Sequence, residues 1–194
     1  MDNFYYDIAV IFAAYLLGTT PSAVWVCRVL INQDPRDKGS HNPGATNVMR
    51  IAGRKAAFIT FLCDFGKGWL ALALAQSLAL SHPMLVVTAI AVTLGHIMPF
   101  YALRRGGKGV ATAMGVCMGF YWPLGVAMML CWLLIFAISR TSSLASLLSC
   151  AVICVACTLF LQQYEEITAA LGLLLFVSHR DNIRRLVTKQ EHRF

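Results

Sequence analysis

The chain has 194 residues, of which 58% are hydrophobic and only 13% charged. Soluble domains carry about 25% charged residues, so this composition belongs to a protein embedded in a membrane, with room for six or seven spans of about 20 residues and no separate soluble domain. The net charge of +7 raises nucleic acid as a partner, an inference that the placement of the charges removes.

In chain order, the apolar runs predict spans at about Ile8 to Ile31, Ala56 to Leu80, Met84 to Leu103, Val110 to Tyr121, Pro123 to Ser139, Leu144 to Leu161 and Ile167 to Val177. Three are short and need to be broken, tilted or shielded by neighbours. The start Met1-Asp2-Asn3-Phe4-Tyr5-Tyr6-Asp7 has no basic residue ahead of its apolar run, which argues against a cleaved signal peptide.

Basic residues fall in alternate connections. Arg36, Lys38, Arg50, Arg54 and Lys55 follow the first span, Arg104, Arg105 and Lys108 the third, Arg140 the fifth, and Arg180, Arg184, Arg185, Lys189 and Arg193 the seventh. The connections around Ser81-His82, Trp122-Pro123 and Gln162 to Glu166 contain no Lys or Arg. Because short cytoplasmic loops are enriched in Lys and Arg, this alternation predicts an odd number of spans, hence seven, with the N-terminus periplasmic and the C-terminus cytoplasmic. Topology thus accounts for the positive charge, and no nucleic-acid partner is expected. The expected fold is all-α: one polytopic transmembrane domain over residues 1–194, lodged in the lipid bilayer.

The seven cysteines all lie in apolar runs. Even Cys154-Val155-Ala156-Cys157 lacks the polar neighbours that stabilise a thiolate, so buried inert thiols are expected. No carboxylate cluster indicates a metal site, and no cofactor is expected.

Three polar segments exceed what topology requires. The first, Asp34 to Arg50, offers Ser40, Asn42, Gly44, Thr46 and Asn47 as hydroxyl, amide and backbone donors in succession, with Arg50 as a bidentate fork. The second, Gly106-Gly107-Lys108-Gly109 ahead of Thr112, combines close backbone approach, a point charge and the start of a helix, whose amides attract anions. It lacks the spacing and the strand of a nucleotide P-loop, which excludes a nucleoside triphosphatase. The third, Ser178 to Leu186, places His179, Asn182 and Arg185 near one-turn spacing. A well-turned solvated loop and a snorkelling basic collar are the plain alternatives.

Within or beside the spans, Asp64 and Lys67 at i and i+3 are read as a pair with a structural or positioning role. His96, before Pro99, reads first as a packing residue, while Ser142 and Ser143 beside Arg140 read as a cap or a ligand. The Gly115-x-x-x-Gly119 pattern reads as a helix-packing face. Together the polar clusters gather at the cytoplasmic side, indicating one anion site bordered by the membrane. An organophosphate transporter is the competing class, but it would place polar residues at midplane and on both faces.

The motifs Gly39-Ser40-x-Asn42-Pro43-Gly44-Ala45-Thr46-Asn47-Val48-x-Arg50, Asp64-x-x-Lys67-Gly68, Gly95-His96-x-x-Pro99 with Gly106-Gly107-Lys108-Gly109-Val110-Ala111-Thr112, and His179-x-x-Asn182-Ile183-x-Arg185-Leu186 resemble the signature of the bacterial acyl-phosphate:glycerol-3-phosphate acyltransferases, the PlsY family. The resemblance runs in order over nearly the whole chain. It implies seven spans in the bacterial inner membrane, a cytoplasmic site, and transfer of a fatty acyl group from acyl phosphate to the 1-hydroxyl of glycerol 3-phosphate. The products would be lysophosphatidic acid and inorganic phosphate, and the enzyme that supplies acyl phosphate would be a partner.

By similarity Ser40, Arg50, Lys108, Ser143, His179, Asn182 and Arg185 carry over, with His179, Asn182 and Lys108 assigned to catalysis. Asn42, Gly44, Thr46, Asn47, Lys67, His96, Gly106, Gly107, Gly109 and Ser142 complete the expected binding set. The general base is either His179 or a phosphate oxygen of glycerol 3-phosphate. His41 stands where the family usually has glycine, and Gln190-Glu191 lacks a glycine often found near that place. The latter departure is expected to touch no functional residue.

Overall fold

The computed structural model describes residues 2–101 and 106–194, with side chains from residue 5 onward. The expected end of the third span at Leu103, and Arg104 and Arg105, lie outside the described residues, as does Met1. The described residues form nine α-helices and one short 3-10 turn: α1 (Asp2–Gly18), α2 (Ser22–Ile31), α3 (Ala45–Ser77), α4 (His82–Ile97), α5 (Val110–Phe120), α6 (Trp122–Ser139), α7 (Ser142–Phe160), the turn Gln162–Tyr164, α8 (Glu165–Ser178) and α9 (Arg180–Val187). No strand occurs among them.

Each predicted apolar run contains helical structure, with three corrections, of which the simplest is that the third run is helical only to Ile97, α4 ending ahead of Pro99. The first run is not one rod, because it breaks at Thr19-Thr20-Pro21. Pro21 has no N–H and disfavours helical geometry at the residue before it, so the chain exits α1 and restarts at Ser22. Thr19 closes α1 by donating its hydroxyl to the Leu16 carbonyl at 2.6 Å. The second run begins earlier than predicted: α3 starts at Ala45, so Thr46, Asn47 and Arg50 are helical rather than in a loop. Gly53 interrupts it at φ 82° and ψ −178°, which glycine tolerates without a Cβ penalty. Ala45 to Ala52 is therefore a separate short helix lying ahead of the long apolar one.

Four helical stretches are long and apolar enough to cross a membrane: Tyr5–Ile31, Ala45–Ser77, Trp122–Ser139 and Ser142–Phe160; α4 and α5 are shorter apolar helices. Bulky apolar side chains such as Trp25, Leu134, Ile138 and Phe160 face outward. A water-soluble protein does not tolerate so continuous an apolar exterior, whereas lipid-facing helices require one.

The interior is built from small residues. A Cβ on Gly68 would overlap the Thr112 carbonyl oxygen, and one on Gly115 the Phe65 carbonyl oxygen, so α3 and α5 touch backbone to backbone. Gly119 extends the same face against Leu72 and Trp69, as the small-x-x-x-small pattern predicts. Gly18 and Gly95 do the same between α1 and α4. In lipid this close approach, rather than hydrophobic burial, drives association. It also fixes the start of α5 at Thr112 against Gly68, within one turn of Asp64 and Lys67. The cysteines are free thiols, but not all are buried as expected: Cys27, Cys117, Cys150 and Cys157 are, Cys63 is exposed on the outer face of α3, Cys131 and Cys154 are partly exposed, and Cys154 donates weakly to the Thr168 carbonyl at 3.1 Å.

Candidate active site

The Gly-rich loop is fixed from three directions. Gly106 N–H donates to the Ile97 carbonyl and Gly107 N–H to the His96 carbonyl, each at 3.1 Å, so the loop folds back along the end of α4. Ser178 donates its hydroxyl to the Lys108 carbonyl at 2.9 Å, tying the loop to the end of α8. Gly109, at φ 85°, then caps α5. With its carbonyl spent on Ser178, Lys108 has its side chain as the group left to act.

That side chain is largely buried, and its ammonium is pushed down from 10.5 to about 8. Burial is the main cause; Arg185 and Arg50 push further down, while Glu191 and Asp181 pull up. Arg50 from α3 and Arg185 from α9 thus both lie within electrostatic reach of Lys108 in the loop. Such a concentration of positive charge is costly until an anion arrives.

His179 sits between α8 and α9, 1% exposed. Its Nδ1 lies 2.8 Å from the Leu175 carbonyl oxygen, which can only accept, so Nδ1 carries the proton and Nε2 the lone pair. Burial, then the positive charge of Lys108, lowers this imidazole to about 4. The ring is neutral at physiological pH.

One turn on, Asn182 is buried and donates from Nδ2 to Glu191 Oε1 at 2.9 Å, while Arg185 Nε donates to Glu191 Oε2 at 3.0 Å. Glu191 therefore clamps both predicted ligands. This corrects the expectation that the Gln190-Glu191 departure touches no functional residue: the carboxylate after α9 reaches back to the site. A lone acidic residue among tail cations was the only sequence signal. Ser143, at the start of α7, is 2% exposed, and its hydroxyl finds no partner among the described residues. Ser142 opens the same helix and accepts the Ser146 hydroxyl on its carbonyl at 2.8 Å.

The predicted binding set separates into groups with different duties. Asn47 is 1% exposed and gives its whole amide to the preceding loop: Oδ1 accepts Ser40 N–H at 2.8 Å, and Nδ2 donates to the carbonyls of Pro35 and Lys38 at 2.8 and 3.0 Å. It holds the Ser40 loop in shape, with its own amide already used. Asn42 accepts Gly44 N–H on its carbonyl at 2.9 Å, and Gly44 leads into α3, where Thr46 and Arg50 lie half-buried. Asp34 receives two hydrogen bonds from the Arg36 guanidinium, at 3.0 and 2.7 Å, and this holds its carboxyl below the usual range. His41 adopts φ 57°, the region a glycine occupies freely, and pairs Nδ1 with the Arg36 carbonyl at 3.1 Å. Lys189 is likewise left-handed, at φ 57°. Side chains thus occupy two tight turns where glycine would be unstrained.

Asp64, Lys67 and His96 form a second, buried group. Lys67 Nζ lies 2.9 Å from Asp64 Oδ1 and donates to the Thr20 carbonyl at 3.2 Å, at the α1–α2 break, while His96 Nδ1 faces the same Asp64 oxygen at 3.5 Å. A Cβ on Gly107 would strike His96 Nε2. His96 thus backs the loop at Gly107 with Nδ1 turned to Asp64, while the Lys67 ammonium is spent on Asp64 and Thr20.

A buried imidazole, a glycine-rich loop and the cations Arg50 and Arg185 thus gather around Lys108. The sequence model of the family described as glycerol-3-phosphate acyltransferase matches residues 8–189. A glycerol-3-phosphate acyltransferase of Methylococcus capsulatus is 44% identical over 93% of this chain and 92% of its own, and one of Actinobacillus succinogenes 42% identical over 97% and 94%. The chain belongs to the glycerol-3-phosphate acyltransferase family.

The fold agrees. The crystal structure of PlsY, an integral membrane glycerol 3-phosphate acyltransferase, in its glycerol 3-phosphate form superposes with a TM-score of 0.86 at 34% identity, covering 97% of this chain and 96% of that one. Its lysophosphatidic acid form gives 0.88 at 33% identity. At this identity the membership carries the acyltransferase activity and the integral membrane setting. In family terms the observed division of labour is that Lys108, His179, Asn182 and Arg185 converge, while Asn47, Lys67 and His96 shape what converges.

Proposed function

We propose that this chain transfers a fatty acyl group from acyl phosphate to the 1-hydroxyl of sn-glycerol 3-phosphate, giving lysophosphatidic acid and inorganic phosphate in the first acylation of phospholipid synthesis. It does so as a single domain of seven spans in the bacterial inner membrane, N-terminus periplasmic, with its site on the cytoplasmic side and an acyl-phosphate-producing enzyme as its supplier. The family membership supports glycerol 3-phosphate as acceptor, and the two forms of the neighbouring crystal structures agree with it. The observation that carries the reading further is the convergence of Lys108, Arg50 and Arg185 beside a neutral His179.

Acyl phosphate is already activated, so the site's work is to align two anions, neutralise the departing phosphate and support the carbonyl oxygen as it gains charge. Lys108 with the glycine cradle, and Arg50 with Ser40, hold the two phosphates; Arg185 and the orphan hydroxyl of Ser143 complete the charge-assisted contacts. Asn182, held through Nδ2 by Glu191, offers its remaining amide capacity to the substrate. The acceptor hydroxyl attacks the acyl carbonyl, and the carbon–oxygen bond to phosphate breaks.

The hydroxyl proton needs an acceptor. With its conjugate acid near 4, His179 is a weak base at pH 7, whereas a phosphate monoester dianion has a pKa of about 6. A substrate phosphate oxygen is therefore the better acceptor, and His179 orients the acceptor through Nε2. Lys108→Ala is the direct test: it removes a charge-assisted bond of about 1.5–3 kcal/mol, or roughly ten- to hundredfold in kcat/KM. Unchanged kinetics would refute the anion site.

A further inference from the structure

Arg50 lies on the short helix ahead of the Gly53 break, and among the described residues its guanidinium makes no hydrogen bond or ion pair. What holds it is a ring: Arg50 Cζ stands 4.2 Å from the centroid of Phe194. That ring is itself anchored. Phe194 N–H donates to the Arg140 carbonyl at 2.9 Å, between α6 and α7. Phe136 meets the ring edge-on at 5.4 Å and is stacked on Trp132 at 4.9 Å. A ladder of aromatic rings therefore runs from α6 to a cation whose guanidinium has no hydrogen bond or ion pair among the described residues.

We propose that Phe194 is a positioning residue for Arg50, fixing the plane of its guanidinium for a substrate phosphate. A ring over one face of a guanidinium attracts the cation through its quadrupole and leaves all five N–H groups, which lie in the plane, free to donate. An arginine on a flexible stem would otherwise lose rotamer freedom on meeting a phosphate, and restraining it beforehand removes part of that cost. Glu191 serves Arg185 and Asn182 from the same tail by hydrogen bonds. Phe194 serves Arg50 without using any of its donors. The inference rests on Arg50 being a phosphate ligand, as proposed above.

The test is a double-mutant cycle on the full chain in detergent. It reads KM for each substrate, kcat, thermal stability, and the Kd of inorganic phosphate and of glycerol 3-phosphate by titration calorimetry, which serves inactive variants too. In Phe194→Ala, phosphate binding and the KM of one substrate weaken about three- to tenfold while kcat stays within about twofold, the range expected for one partly exposed cation–π contact. Phe194→Tyr restores both, and Phe194→Ala adds no further loss of binding once Arg50 is alanine. Unaltered binding and KM in Phe194→Ala, or an equal loss in the Arg50→Ala background, would overturn the role of Phe194. Wild-type binding and KM in Arg50→Ala would instead overturn the assignment of Arg50 itself.

Discussion

The Nδ1 atom of His179 lies 2.8 Å from the carbonyl oxygen of Leu175 four residues earlier in α8. That single bond settles which nitrogen carries the proton, presents a lone pair at Nε2, and holds the ring in one orientation. Burial next to Lys108 then keeps it neutral, near 4. A ring so held orients a hydroxyl well and removes its proton poorly.

His179→Ala should therefore slow turnover by about ten- to a hundredfold, as expected when an orienting hydrogen bond is lost, and leave activity measurable. His179→Gln should recover part of it. A drop to the background rate in both, with glycerol 3-phosphate binding intact, would make the imidazole the obligatory base.

The pH dependence follows from Lys108. Its ammonium is depressed to about 8, so the charge that holds phosphate is present below pH 8 and lost as pH rises through it. In the free enzyme kcat/KM should fall above pH 8, approaching tenfold per unit. Lys108→Arg, which stays charged, should abolish this alkaline limb even if it lowers the plateau. An unmoved limb in that variant would assign it to another group.

Glu191 holds Asn182 and Arg185 at 2.9 and 3.0 Å. Glu191→Ala leaves Arg185 without its carboxylate and Asn182 without its acceptor, so kcat/KM should drop about ten- to a hundredfold, with lower thermal stability. A more active variant would show instead that the carboxylate competes with substrate for the cationic site.

Gly107→Ala drives a methyl group into His96 Nε2, and His96 cannot retreat because Asp64 and the α4 backbone hold it. The loop must shift, with an overpacking cost of about 1–3 kcal/mol, and the KM for a phosphate-bearing substrate should rise. Adding His96→Ala opens space and should recover part of that loss. Two strictly additive penalties, measured by thermal unfolding and KM, would place the strain elsewhere.

Much of this was readable in the chain because polar residues are expensive inside lipid, so each one present is visible against the apolar background. Asp64, Lys67 and His96 stand out that way, while Lys108, His179, Asn182 and Arg185 stand out as polar segments at the span ends that topology alone does not require. What the sequence withheld was which polar group is consumed by which neighbour. Asn47 and Lys67 look as available as Lys108 on paper, yet their polar atoms are spent on a loop backbone, a carboxylate and a helix break, and His96 turns Nδ1 to the same carboxylate. Glu191 and Phe194 were overlooked because their partners lie on other helices, and tertiary pairs leave no periodicity. The start of α3 was misplaced because Ala45 to Ala52 is too polar to look like a span, and a Gly53 break reads equally well as a loop.

Acyl phosphate, rather than a thioester, is the proposed donor. Purified protein in detergent, given glycerol 3-phosphate with either acyl phosphate or an acyl thioester of the same chain, should release inorganic phosphate and form lysophosphatidic acid in equal amounts from acyl phosphate alone. Lysophosphatidic acid formed from the thioester at a comparable rate, or phosphate released without consumption of glycerol 3-phosphate, would contradict it.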